Sequence, residues 1–123
     1  MSSKQPNKAE KRWTTKAGYP AVVMFRENWL FDNYRCGYVG IPLSHPLAKR
    51  WCEELDEYVT VHGGVTYSDD YVPGAHKRKT RKWWVGFDCA HAGDTEEEWT
   101  LKRVEKECEE LAKQLAGKVC GKS

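Results

Sequence analysis

The sequence predicts an α+β domain in which an antiparallel sheet of about four strands carries a long C-terminal amphipathic helix on one face. Two observations support this class. Short runs of β-branched and aromatic residues, bounded by glycine, proline and asparagine, recur through most of the chain and are typical of strands. The C-terminal part instead spaces its apolar residues three and four apart, which is typical of a helix. We therefore expect the element order ββαββα.

A hairpin opens the predicted domain. The runs AVVMFREN at residues 21–28 and YRCGYVGIP at 34–42 are typical of strands, and Asp32 and Asn33 between them supply a turn signal. The second run contains two glycines, which indicate a bulge or the close approach of another group. Pro42 ends the second strand, because proline cannot donate to a sheet ladder.

A helix and a third strand follow the hairpin. Leu47, Trp51 and Leu55 fall four residues apart, so the sequence predicts a short helix over residues 44–58. Residues 58–67, YVTVHGGVTY, return to a period of two. They predict a strand that presents its valines on one face.

The fourth strand and the final helix complete the predicted order. WWVGFDCA at residues 83–90 is typical of a strand, and residues 95–117 are typical of a helix. Thr95 and Glu98 have the spacing of a capping box, and Gly117 suits a helix end. The helix has one apolar stripe, formed by Leu101, Val104, Cys108, Leu111 and Leu115.

The length of 123 residues predicts one domain, which we place at residues 18–117. Residues 1–17 are polar and lysine-rich and predict a disordered basic arm, and residues 118–123 predict a flexible tail. The formal net charge is +2, yet residues 1–16 carry +4 and residues 76–82 carry +5, which leaves −7 on the remainder. Such segregation suits contact with phosphate-rich partners and also suits solvated loops.

The cysteine content and the hydropathy indicate a reducing compartment. There are five cysteines, an odd number, and no CxxC pair, so we expect free thiols and no disulfide framework. No apolar run approaches the roughly 20 residues that a membrane span needs. The N-terminal segment lacks the apolar core of a secretory signal. We therefore expect a cytoplasmic protein. Since no cofactor motif is present, we also expect no cofactor, although a divalent metal stays open.

Candidate chemistry collects at the ends of the third and fourth predicted strands. If these strands pair as antiparallel neighbours, Gly64 lies opposite Gly86 and His62 lies near Asp88. The strand-to-helix turn then follows directly. We predict a ligand-binding edge with a basic electrostatic rim: the edge comprises His62, Gly63, Gly64, Asp88, His91 and Asp94, and the rim contains Arg78 and Arg81.

Three kinds of chemistry fit this edge. The turn CAHAGDT leads into the last helix, whose free N–H groups attract a phosphate or carboxylate that the basic loop could steer. Two imidazoles and two carboxylates also suit a divalent metal, although no standard ligand spacing is present. Finally, Cys89 could act as a nucleophile with His62 or His91 as its base, but strand alternation turns Cys89 toward the core.

Three segments of the chain together resemble a group of small proteins encoded by bacteriophages and prophages. The segments are VHGGVTYS (61–68), WWVGFDCAHAGD (83–94) and VEKECEELAKQL (104–115). The group has the same order of a His-Gly-Gly strand, a connection, a Trp-rich strand with a similar ending, and a helix with Glu-Cys. The resemblance covers residues 34–116 and implies a phage or prophage origin. It supplies no activity and assigns no role to any residue.

These observations favour a binding module over an enzyme. We expect it to bind either a small anionic ligand such as a nucleotide or a host or phage macromolecule, with nucleic acid less favoured and no membrane contact. Two alternatives stay open. One is an inhibitor that acts by protein–protein contact through exposed tryptophans such as Trp29 and Trp51. The other is a small hydrolase, metal-dependent or cysteine-based, that uses His62, Asp88, Cys89 and His91.

Overall fold

The computed structural model describes residues 7–27, 33–77, 79–91 and 93–119. Within them the chain forms five strands and two helices. The elements in chain order are β1 (Asn7–Thr14), β2 (Pro20–Arg26), β3 (Tyr34–Pro42), α1 (Cys52–Leu55), β4 (Tyr67–Asp69), β5 (Lys82–Asp88) and α2 (Leu101–Val119).

One antiparallel sheet organises the domain, with the strand order β1-β2-β3-β5-β4. Helix α2 packs on one face of this sheet, against β3 and β2. The predicted α+β class and the packing of the C-terminal helix on one face are confirmed. The sheet has five strands rather than four, because an additional strand precedes the predicted hairpin.

That additional strand is β1, and the prediction of disorder is wrong for residues 7–14. The strand pairs with β2 along its length, and its polar side chains have partners on α2. The Lys11 ammonium lies 2.6 Å from a Glu105 carboxylate oxygen, and the Trp13 indole N–H donates to Glu109 at 2.9 Å. The polar composition of this segment therefore did not indicate disorder, because β1 is held by ion pairs with other elements as well as by apolar burial. Residues 1–6 lie outside the described part.

The predicted helix over residues 44–58 is reduced to the single turn of α1. Lys49 adopts a left-handed backbone with φ of 68°, which interrupts any helix at that position. Before it, the buried His45 organises a turn. Its Nδ1 accepts the Leu47 N–H at 3.0 Å, and its Nε2 donates to the Leu115 carbonyl at 2.8 Å. The apolar residues at 47, 51 and 55 thus do not share one helical face.

The predicted strand over residues 58–67 is also wrong for most of its length, since only β4 pairs with β5. Gly63 and Gly64 have φ of 71° and 85°, left-handed values that a strand cannot contain. The register places Tyr67, not Gly64, opposite Gly86. The Gly86 position is instead covered by an aromatic ring, because a Cβ there would lie 2.4 Å from Tyr38.

Helix α2 begins six residues later than predicted. Thr95 and Glu98 form a separate turn, in which the Thr95 hydroxyl accepts the Glu98 N–H at 3.1 Å. The Thr100 hydroxyl then accepts the Arg103 N–H at 3.2 Å and so caps α2. At the other end α2 continues to Val119, so the predicted flexible tail is wrong for residues 118–119, and residues 120–123 lie outside the described part. No helix among the described residues is long and apolar enough to cross a bilayer.

Each face of the sheet carries its own core. The main core lies between the sheet and α2. A second core on the opposite face is covered by the loop that joins β4 to β5. It consists of Val22, Met24, Cys36, Tyr38, Val72 and Trp84. A sheet buried on both faces holds its strands rigidly, which fixes the positions of the connections at its edge.

Glycine at position 37 is required by the main core. A Cβ at Gly37 would lie 2.6 Å from both the Cys108 sulfur and the Phe87 ring. We expect Gly37→Ala to destabilise the fold by about 1–3 kcal/mol through overpacking, measured by urea denaturation. Gly117→Ala in α2 is the matched control, because the alanine Cβ would have no neighbouring atom within 4 Å. That control should gain up to about 1 kcal/mol. Equal effects of the two substitutions would contradict this account of the core.

Candidate functional site

Two segments that are distant in the sequence converge beside the N-terminal end of α2. We call the side chains of His62, Asp88, His91 and Asp94 the histidine–aspartate cluster. His62 lies in the turn between α1 and β4, Asp88 ends β5, and the other two lie in the connection from β5 to α2. The His62 and His91 rings lie edge to face with their centroids 5.7 Å apart. The predicted edge therefore exists as a spatial group.

The Asp94 carboxylate lies at the centre of this cluster. Its two oxygens lie 2.9 Å and 3.1 Å from Nε2 of His62, and one of them accepts the backbone N–H of His91 at 3.0 Å. The Asp94 side chain is 8% exposed. Burial alone would raise its pKa, but the His62 hydrogen bond, the His91 N–H and the nearby imidazoles outweigh burial and lower the pKa below the ordinary 3.8.

The His91 imidazole is held by sterics rather than by hydrogen bonds. Its Nε2 lies 3.3 Å from Asp88 Oδ1, yet the angles do not form a hydrogen bond, and the atom is buried without a partner in the described residues. A Cβ at Gly63 would lie 2.1 Å from this Nε2. Glycine at position 63 is therefore required both by its positive φ and by the His91 ring.

The pairing within the cluster differs from the predicted pairing. The sequence predicts His62 beside Asp88, whereas the structure pairs His62 with Asp94 and places His91 beside Asp88. The reason is the shifted register of β4, which leaves residues 61–64 as a turn above the start of α2. Gly64 belongs to this turn and does not line the sheet.

Two further contacts to His62 were missed by sequence reasoning. The His62 ring lies 4.0 Å from the Trp99 ring, with 34° between their planes, and the His62 backbone N–H donates to a Glu107 carboxylate oxygen at 2.8 Å. The Arg103 guanidinium in turn lies 4.0 Å from the centroid of the same Trp99 ring. Residues 99, 103 and 107 are spaced four apart in the sequence, and this spacing, which begins two residues before α2, was the available signal.

Cys89 is buried beneath the cluster and does not resemble a nucleophile. It is 3% exposed, and burial, followed by the negative charges of neighbouring groups, raises the pKa of its thiol far above the ordinary 9.0. The inward orientation predicted for Cys89 is confirmed. No group of three His, Cys, Asp or Glu side chains converges as a metal site in the described ranges.

The predicted electrostatic rim lies elsewhere. Arg78 is outside the described residues, and Arg81 is exposed with a left-handed φ of 67°. The neighbouring Lys77 and Lys79 line a separate cleft with residues 69–71, so the basic run does not border His62. Of the two tryptophans predicted to be exposed, Trp29 is outside the described residues, and Trp51 is 65% exposed.

Comparison of the chain with protein-family models, with curated proteins and with solved structures finds no match. The functional argument therefore rests on the geometry of this chain.

The lowered pKa of Asp94 predicts a pH-dependent contribution to stability. Its ionised form is favoured by folding, so this contribution is present above pH 3.8 and is lost as the pH falls through the folded-state pKa. We expect Asp94→Asn to cost about 1–3 kcal/mol near neutral pH. The difference from the wild type should shrink toward pH 3, as measured by urea denaturation across that range.

Asp88→Asn is the matched control. Asp88 accepts one backbone N–H, from Ala90 at 3.1 Å, and its side chain is 27% exposed. We expect its replacement to cost less than half as much as that of Asp94. A loss in Asp94→Asn that is independent of pH would contradict the electrostatic origin of the effect.

Proposed function

We propose that this chain is a small binding module that holds the acidic group of a ligand, a phosphate or a carboxylate, between the imidazoles of His62 and His91. The observation that supports this proposal is the convergence of the two rings, 5.7 Å apart, on a turn that glycine alone permits. Both side chains remain partly exposed, at 26% for His62 and 38% for His91. A ligand can therefore reach them.

The Asp94 carboxylate fixes the orientation of the His62 imidazole, and packing above Gly63 fixes that of His91. Asp94 and Asp88 both face Nε2 atoms, which leaves Nδ1 of each ring without a hydrogen-bond partner among the described residues. A protonated imidazole donates through Nδ1, so two such donors can serve two oxygens of one acidic group. Ring orientation by a carboxylate is a common feature of functional histidines.

The negative charges nearby do not exclude an acidic ligand. Asp94 is paired with His62, and Glu107 accepts the His62 backbone N–H. Arg103, stacked on Trp99, adds a positive charge beside the same ring. Arg103 therefore offsets part of the negative charge, and both Asp94 and Glu107 already accept hydrogen bonds from His62.

The cysteine-based hydrolase has less support than binding, because a buried thiol with a raised pKa is a poor nucleophile. We also propose a bacterial cytoplasmic setting. It is supported by the free thiols of all four cysteines in the described residues, Cys36, Cys52, Cys89 and Cys108.

The direct test titrates the protein with inorganic phosphate and with acetate while the imidazole resonances are followed by NMR. We expect both probes to shift the resonances of His62 and His91, because each ring offers Nδ1 to the ligand. His62→Ala and His91→Ala should each weaken binding about tenfold.

His76→Gln is the control for this titration, since His76 lies on the opposite face of the sheet against Trp84. It should leave binding of both probes unchanged. The proposal fails if the two alanine variants bind as the wild type does, or if neither probe shifts the resonances of His62 and His91.

A second candidate function is contact with a partner macromolecule through Trp51. The Trp51 indole is 65% exposed, and tryptophan is enriched among the residues that dominate interface energies. The guanidinium of Arg50 lies 5.6 Å from the ring of Tyr58, which is also exposed. If the chain is encoded by a phage, such a partner would be a host protein. This candidate function is therefore the inhibitor, acting by protein–protein contact, that the sequence left open.

Substitution of Trp51 tests that candidate. We expect Trp51→Ala to keep the wild-type stability, because the side chain is mostly exposed, and to abolish recovery of a stoichiometric host protein in affinity purification. Lys113→Ala on α2 is the control surface substitution and should retain the partner. Recovery of the same partner by Trp51→Ala would exclude this surface.

A further inference from the structure

A cleft on another part of the molecule brings together groups that the histidine–aspartate cluster does not use. It has a volume of about 720 Å³ and lies beside the loop that joins β4 to β5. We call it the loop cleft. Its lining residues are Asp69, Asp70, Tyr71, Lys77 and Lys79. Asp69 pairs with Trp84 in the sheet, so the cleft belongs to the face that carries the second core.

The walls of the loop cleft are held in place by the second core. Val72 is completely buried, and its backbone N–H donates to Nδ1 of His76 at 3.0 Å. The His76 ring in turn packs on Trp84, with the ring centroids 5.0 Å apart. The backbone N–H and the hydroxyl of Thr80 both donate to the Asp70 carbonyl, at 3.0 Å and 3.1 Å. A ligand at this cleft would therefore meet a largely preformed site.

Lys77 and Lys79 of the loop cleft belong to the most basic segment of the sequence. Residues 76–82 contain five Lys or Arg and no acid, whereas the chain outside this segment and residues 1–16 is acidic. Burial lowers the pKa of His76 in this segment, and the charge of the Arg12 guanidinium lowers it further. Concentrated positive charge at a cleft attracts phosphate groups.

The acidic wall distinguishes this cleft from a simple phosphate site. Asp69 and Asp70 would repel a bare phosphate, but carboxylates accept hydrogen bonds from ribose hydroxyls and from base amino groups. Tyr71 supplies an aromatic face on which a base can stack. Lys77 and Lys79 supply ammonium groups for the phosphate. Cations, carboxylates and one aromatic ring in a single cleft match the three parts of a nucleotide.

We propose that the loop cleft binds a nucleotide, with the phosphate at Lys77 and Lys79, the base at Tyr71, and the ribose or base polar groups at Asp69 and Asp70. This site is separate from the histidine–aspartate cluster and does not depend on it. The ligand class follows from the mixed charge of the lining together with the volume, which accommodates a molecule of nucleotide size.

Isothermal titration calorimetry of the full chain tests this proposal, with AMP, GMP, CMP, UMP, inorganic phosphate and a single-stranded octanucleotide as probes. We expect at least one mononucleotide to bind more tightly than inorganic phosphate, with an affinity that falls as salt is raised. The double substitution Lys77→Glu and Lys79→Glu should weaken that binding at least about tenfold. Tyr71→Leu should reduce the preference for the nucleotide over inorganic phosphate.

The matched control reverses Lys106 and Lys113 to Glu, because these lysines line a different groove beside α2. It makes the same change in net charge and should retain nucleotide binding.

Three outcomes would overturn the proposal. The first is the absence of millimolar or tighter binding for every mononucleotide. The second is equal weakening by the two charge-reversal pairs, which would show a non-specific charge effect. The third is binding of the octanucleotide alone, which would make the basic segment a nucleic-acid surface instead.

Discussion

The Asp94 carboxylate is the contact on which the arrangement of the candidate site depends. It joins two segments that are distant in the sequence, since it accepts from the His62 imidazole and from the His91 backbone N–H at once. Its side chain is nearly buried, so solvent screens these hydrogen bonds weakly. Without this carboxylate, the turn at residues 61–64 would keep the hydrogen bond to Glu107 of α2 and the packing on Trp99, which precedes that helix.

Glycines set the second constraint, because they let aromatic and imidazole rings approach the backbone. The His91 ring occupies the space above Gly63, the Tyr38 ring that above Gly86, and the Trp84 ring that above Gly40. Two of these contacts lie in the sheet and build the second core, whereas the one at Gly63 builds the histidine–aspartate cluster. Packing of a ring on a glycine therefore stabilises the second core in the sheet and places polar groups at the surface in the cluster.

The two proposed sites use different faces of one sheet and different sources of rigidity. The cluster depends on Glu107 of α2 and on Trp99, which lies just before that helix. The loop cleft depends on the second core, through Val72 and the stacking of His76 on Trp84. Since the sheet between them is buried on both faces, a substitution in one site is expected to leave the other in place. The chain thus has room for two independent binding functions within one small domain.

Local patterns in the sequence determined the α+β class, the strands β2, β3 and β5, and the amphipathic helix α2, because the period of apolar residues is a local property. They also indicated that His62, His91 and the two aspartates belong together. Only the tertiary structure decided the pairing of His62 with Asp94, the strand β1 and the loss of the predicted helix at 44–58. The physical reason is that these features depend on ion pairs with α2, on left-handed residues such as Lys49, and on a register that no local pattern specifies.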